Sequence, residues 1–386
     1  MAHEMMRAMV MVVGVCAVGA RAGDFADVLF EYAPAPGQFI NGDSNTPGEV
    51  YNDPAAALGP PIGAGATSPS NAKVVSLGGF GGSITLGFSE TVWADPCNPW
   101  GVDAIVFGNA FWLGTAGTHR WAEPGVIEIS RDVNGNGIPD DPWYVVRGSH
   151  LAVGPGKVPM DFWEEQDWDD DPNTATPPAQ VWWYPDPLVY PGFPSSYTTA
   201  GYRLPSVFEV AVLVTPAPGE FEAYWGYADM SPTLRLGDLT GNGVVDDPSM
   251  TPEEFYTRAS NPFRVGITAG SGGGDGFGIS WAVDPETGER APIDGFDFIR
   301  IRTGTNFVSG SLGEHSTEVG GVARARADRS FFDVDGSGAV DVEDVYAWHA
   351  GMTKDLTGDG TIGEADRLML LRCVRCCEIN DMTEGR

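Results

Sequence analysis

No strand-like or apolar run in this chain continues far before a cluster of Gly, Pro, Asn or Asp interrupts it. The runs are "AKVVSLG", "SITLGF", "VDAIVFGNAF", "GVIEIS", "WYVVRGS", "FEVAVLVTP", "FEAYWGYA" and "FDFIRIRTG". Several alternate apolar and polar residues, as a half-buried antiparallel strand does. In "FDFIRIR", Phe296, Phe298, Ile299 and Ile301 are set against Asp297, Arg300 and Arg302. The punctuation comes from 52 glycines and 30 prolines, yet 42% of residues are hydrophobic, so a core can form and disorder is not implied. "GGFGG" (Gly78 to Gly82) lies between two such runs with no helix pattern after it, which makes it a tight turn rather than a phosphate loop. The expected fold is mainly β, an antiparallel β-sandwich of jelly-roll type over residues 23–328, followed by a small α-helical calcium module at 329–377 and a tail at 378–386.

The first 22 residues read as a secretory signal: Arg7, an apolar run from Ala8 to Ala20, and small residues at Ala20 and Ala22 before the cleavage point. No later segment has the roughly 18 uninterrupted apolar residues of a membrane-spanning helix. The expected location is secreted or cell-surface, without a transmembrane anchor. With 53 Asp and Glu against 22 Lys and Arg, the formal charge is −31. Such a surface repels phosphate backbones and excludes nucleic acid as a partner, while it suits divalent cations. Beyond the signal lie Cys97, Cys373, Cys376 and Cys377. An exported chain permits disulfides among them, and "CVRCC" without a nearby histidine favours that chemistry over zinc.

Many of the acids fall into loops. An EF-hand-type calcium loop places oxygen ligands at positions 1, 3, 5, 7, 9 and 12, with glycine at 6 and a backbone carbonyl serving at 7. Asp333, Asp335, Ser337, Gly338, Ala339, Asp341 and Asp344 fill that register, and Asp355, Thr357, Asp359, Gly360, Thr361 and Asp366 fill it again, with Gly363 at position 9. Two further stretches share the first part of the register. Asp132, Asn134, Asn136, Gly137, Ile138 and Asp140 occupy positions 1 to 9 of "DVNGNGIPDDP", with Asp141 or a distant residue left to close the cage because Trp143 holds position 12. "DLTGNGVVDDP" repeats the pattern with Asp238, Thr240, Asn242, Val244, Asp246 and Asp247. Strand runs flank the first of these, and Thr251-Pro252-Glu253-Glu254 after the second reads as a capped helix start. Carboxylates at one-residue intervals suit a cation cage, whereas glycosidase acids face each other across a cleft at roughly 5–10 Å. Calcium is the expected cofactor.

The pair of loops within Phe331 to Arg375 resembles the dockerin family, duplicated calcium loop–helix segments that dock onto cohesin partners. Asp344 at position 12 is dockerin-like. Val342-Glu343 and Glu364-Ala365 depart from the hydroxyl-rich pairs of cohesin recognition. The resemblance implies a cohesin-like partner, and a partnerless calcium-stapled cap is the competing reading. Farther upstream, "VSLGGFGGSITLGF", "NPWGVDAIVFGNAF", "AEPGVIEISRDVNGNGIPDDPWY", "IDGFDFIRIRTGTN" and "GEHSTEVGGVARAR" together resemble a group of secreted or cell-surface bacterial β-proteins with no assigned activity. Gly320 stands where that group often carries an aspartate.

Catalytic motifs are absent: there is no G-x-S-x-G, and none of His119, His150, His315 and His349 sits in a His-Glu-x-x-His pattern. Flat aromatic faces stack on sugar rings, and Trp163, Trp168, Trp182, Trp183 and Tyr184 share one acidic segment, with Trp112, Trp121 and Trp143 as further candidates for surface or core. The expected function is recognition or adhesion at the cell surface, with polysaccharide as ligand. Two alternatives stand beside it. One is a glycoside hydrolase or polysaccharide lyase using Glu314, Glu318 or an acid of the Asp161 to Asp171 loop; the other is a purely structural surface-layer component.

Overall fold

A computed structural model describes residues 23–35, 37–41, 50–114, 118–150, 162–166, 198–210, 212–307 and 315–384. The signal-like segment 1–22 therefore lies outside the described residues. So do Trp168, Trp182, Trp183, Tyr184, Glu314 and the acids of the Asp161 to Asp171 loop, except Glu164 and Glu165.

The largest sheet has six antiparallel strands in the order Val28–Ala33, Ser83–Trp93, Gly295–Thr303, Gly125–Ser130, Trp143–Val146 and Ala282–Val283. Its centre is the "FDFIRIR" strand, where alternation explains most of the burial: Ile299 and Ile301 face the core while Arg300 and Arg302 turn outward to Glu128. Phe298 and its neighbour Ile299 point to opposite faces of this strand, and both are buried because both faces are covered. Phe298 meets Phe30 edge-on at 5.0 Å on the side away from Ile299, while the pairing register with Ser83–Trp93 shifts between Phe296 and Phe298 through extra residues on the partner strand.

A three-stranded sheet, Asp275–Phe277, Ala104–Phe107 and Gly321–Arg324, contributes Val106, Phe277 and Val322 to the same core as Ile84, Leu86, Ile127 and Ile299. Another three-stranded sheet joins Leu213–Val214, His119–Trp121 and Phe111–Trp112. Two two-stranded ladders complete the described sheets: Thr198–Tyr202 with Phe162–Gln166, and Glu318–Val319 with Val75–Ser76.

The expected single β-sandwich or jelly-roll is therefore corrected. The fold is mixed, with separate, unclosed antiparallel sheets and scattered helices at Gln38–Asn41, Pro252–Phe255, Val342–His349 and Glu364–Glu384. Several apolar runs shrink to two paired residues before Gly or Pro segments take up their own turn hydrogen bonds. "AKVVSLG" yields Val75–Ser76, and "FEVAVLVTP" yields a short 3-10 turn (Ser206–Phe208) and then Leu213–Val214. "FEAYWGYA" forms only isolated bridges, Phe221 with Arg264 and Ala228 with Gly125. Ladders that short cannot extend a sheet far enough to close it.

Toward the C-terminus, Phe332, Val345, Leu356, Leu370 and Val374 pack around a disulfide between Cys97 and Cys373. Trp100 meets Phe331 at 5.2 Å, so this cluster is continuous with the body of the protein. Among the described residues no helix is long and apolar enough to cross a membrane.

Candidate metal centres and a neighbouring cleft

Each of the four acidic loops folds around its first aspartate. Asp132 accepts from the backbone amides of Gly135, Asn136 and Gly137. Asp238 accepts from Asn242 and Gly243, Asp333 from Ser337 and Gly338, and Asp355 from Gly358 and Gly360. That wrap needs a left-handed backbone at the fourth and sixth positions. The glycines there, Gly135 and Gly137 through Gly358 and Gly360, all lie at φ between 69° and 89°.

A second carboxylate closes each loop by accepting the amide of the second position. Asp344 takes the amides of Val334, Asp335 and Asp341, and Asp366 takes those of Leu356, Thr357 and Gly363. In the other two loops the closing residue comes earlier. Asp141 accepts from Val133 at 3.0 Å and Asp246 from Leu239 at 2.9 Å, while Asp140 is bonded by the Asn134 and Asn136 amides. Asp247 instead caps Ser249, outside the ring. Asp341 and Asp344 form a capping box at the start of Val342–His349, which couples the first C-terminal loop to its helix. Among the polar positions between, Thr240 bonds Asp246, Thr357 bonds Asp366, and Asp359 takes the amide of Thr361. Ala339, Ile138 and Val244 fall at the backbone-carbonyl position.

Among the described residues, three groups of acidic or thiol side chains bring donor atoms within 4.8 Å of one another: Asp333, Asp335 and Asp344; Glu123, Asp229 and Glu318; and Cys97, Cys373 and Cys377. The last contains the disulfide, with the Cys377 sulfur 3.8 Å from that of Cys97.

The middle group was not legible as a set. Glu123 ends the approach to Gly125–Ser130, and Asp229 follows the Ala228 bridge to Gly125, with the Glu123 amide bonded to the Asp229 carbonyl. Glu318 opens the short strand paired with Val75–Ser76. All three are at most 5% exposed. Asp229 takes the amides of Asn109, Ala110 and Glu318, and Glu123 takes that of Ser316. Asp229 also holds φ at 57°, a rare left-handed conformation for a residue with a Cβ. Burial and mutual repulsion raise all three acids: Glu123 is pushed up to about 8, and Asp229 and Glu318 well above the usual carboxylate range. His315, also buried, lies between Trp121 and Phe307 with both ring nitrogens unpartnered, and burial lowers it to about 4.

Nearby, a small cleft is lined by Trp112, Tyr224, Trp225, Arg120, Asn261 and Asp275, among others. Arg120 is buried, pairs with Glu222 at 2.8 Å and leaves its Nε without a partner. Burial pushes Asp275 up to about 7. Of the other aromatic candidates, Trp121 packs on His315, Trp143 lies under Arg300, and Trp163 falls in Phe162–Gln166 opposite Gly201. The sequence matches no known protein-family model and no curated protein.

Proposed function

We propose that this protein is an exported calcium-binding recognition protein of the cell surface or its exterior, with polysaccharide as its ligand. The observation that carries the calcium reading is the shared wrap of four loops, each with a first aspartate gripped by backbone amides and a second carboxylate closing the ring. Calcium in such a cage neutralises carboxylates that otherwise repel one another. Support for a sugar ligand comes from the cleft, where indole and phenol faces stand beside a guanidinium, an amide and a carboxyl.

Residues 329–377 are read as a calcium-stapled cap. The Cys97–Cys373 bond, the contact of Asn261 Nδ2 with the Gly358 carbonyl and the approach of Arg264 to Asp355 at 3.8 Å support that role over docking to a cohesin-like partner. The hydrolase reading has one observation in its favour, Asp275 in the cleft, raised by burial to about 7, where a general acid can both hold and give up a proton.

Depletion of the purified protein by a panel of insoluble polysaccharides, in calcium and in EGTA, tests the proposal. Calcium-dependent depletion by one polymer, lost in Trp112→Ala or Trp225→Ala, is the expected result. No depletion by any polymer refutes sugar recognition. Release of reducing ends by wild type but not by Asp275→Asn replaces it with hydrolysis.

A further inference from the structure

We propose that Glu123, Asp229 and Glu318 form a cation site of their own, buried in the body of the protein and separate from the four surface loops, and that its occupant is one calcium ion. Three segments far apart in the sequence bring these carboxylate oxygens within 4.8 Å of one another, with each residue at most 5% exposed. The neighbours that act most strongly on their charges are other carboxylates and hydrogen-bond donors rather than any Arg or Lys. Buried like charges without a counter-ion are costly, so something positive must enter the group, either protons or a metal.

The charge balance favours a metal. Glu318 Oε1 accepts from Ser316 Oγ at 2.7 Å, but its Oε2 is buried with no hydrogen-bond partner of acceptable geometry, although Glu123 and Ser76 lie beside it. A proton shared between Glu318 and Glu123 leaves two of the three carboxylates charged, whereas a divalent cation bound by all three side chains leaves one charge. The backbone is shaped to the carboxylates as well. A Cβ at Gly108 would stand 2.2 Å from Asp229 Oδ1, so only glycine leaves room for that oxygen. Amides from Asn109, Ala110, Ser316 and Glu318 hold Asp229 and Glu123 in place and offset the one negative charge that a divalent ion leaves. An all-oxygen donor set selects a hard cation, and three carboxylates at this spacing suit calcium better than a thiol- or imidazole-seeking metal.

Burial also gives the site its signature, slow exchange. The full-length secreted chain, saturated with calcium and dialysed against EGTA under folded conditions, is analysed by native mass spectrometry together with elemental analysis for all divalent metals. The expected result is one retained calcium per chain in wild type and none in Glu318→Gln or Asp229→Asn, while calcium uptake by the surface loops on re-addition is unchanged in both variants. If neither variant folds, Ser316→Ala, which keeps every carboxylate, is expected to release the ion at least tenfold faster than wild type. Wild type that retains no metal, a variant that retains as much as wild type, Ser316→Ala with unchanged release, or retention of a different metal overturns the assignment. Because the readout is the ion left after the loops are emptied, it stands or falls independently of calcium binding by the loops.

Discussion

Asp344→Asn is the most informative single substitution in the C-terminal loops. The Asp344 side chain is fully buried, and its two oxygens accept three backbone amides, from Val334 at 2.6 Å, Asp335 at 3.2 Å and Asp341 at 2.9 Å. An asparagine retains an oxygen for the first two but presents an NH2 to the Asp341 amide, donor against donor. Losing one hydrogen bond to a charged acceptor and leaving a half-buried N–H unpaired costs about 2 kcal/mol. The capping box of Val342–His349 is lost with it. Calcium adds a second component. At a free concentration 100 times its Kd, an ion bound only by the folded state stabilises by about 2.7 kcal/mol, and the variant forfeits that as well. The expected deficit, measured by urea unfolding of the full chain at 25 °C, is therefore about 2 kcal/mol in EGTA and about 5 kcal/mol in calcium. A deficit of the same size in both buffers would refute the reasoning, because Asp344 would then serve the helix cap alone.

Three further outcomes follow from the same structure. Cys373→Ser opens a bridge across 276 residues; the chain-entropy estimate puts the loss at about 5.6 kcal/mol, and a reducing agent is expected to bring wild type down to the variant's urea midpoint. At Gly360, with φ of 84°, an alanine Cβ would stand 1.6 Å from the Phe221 ring, so Gly360→Ala is expected to cost about 2 kcal/mol, partly recovered when Phe221 is also replaced by alanine in a double-mutant cycle. The Asp103 carboxyl is raised to about 6 by burial, against an ordinary value of 3.8, so the folded state holds its proton across that window while the unfolded state does not. Its contribution is present below about pH 4 and is lost as the pH rises through 6, about 3 kcal/mol in all; in Asp103→Asn the corresponding slope of unfolding free energy against pH is expected to vanish.

What was legible in the sequence was local. The ligand register of each loop spans a dozen residues or fewer, so glycine at the sixth position and carboxylates at the first and last could be read directly, and the backbone follows them. The Thr251 cap of Pro252–Phe255 was readable for the same reason, since Thr251 and Glu254 are three residues apart. Alternation in "FDFIRIR" located a central strand but not the shift in its pairing, because the extra residues lie on the partner strand Ser83–Trp93. Sandwich closure failed as an expectation because strand pairing is non-local: at Phe111–Trp112 and just after Glu318–Val319 the backbone bonds to distant segments, Trp112 N–H to Ala66 and Gly320 N–H to Phe107, which composition does not locate. The carboxylate group of Glu123, Asp229 and Glu318 carried no local signal at all. Glu318 was visible as one acid of "GEHSTE", but its neighbours arrive from two distant turns, and the left-handed backbone of Asp229 has no glycine or asparagine to announce it. Cys97 likewise faced three thiols near the C-terminus, and only the placement of Glu364–Glu384 selects Cys373.

The central claim, that calcium holds this fold through its acidic loops, is tested most directly by calorimetric titration of calcium into the metal-stripped full chain, alongside a variant with Asp132, Asp238, Asp333 and Asp355 each replaced by asparagine. The account predicts saturable uptake by wild type with a rise in unfolding temperature, and in the variant loss of the loops' share of both, leaving at most the one buried ion. Uptake and melting temperature that do not respond to calcium in wild type, or that respond equally in the variant, would contradict it.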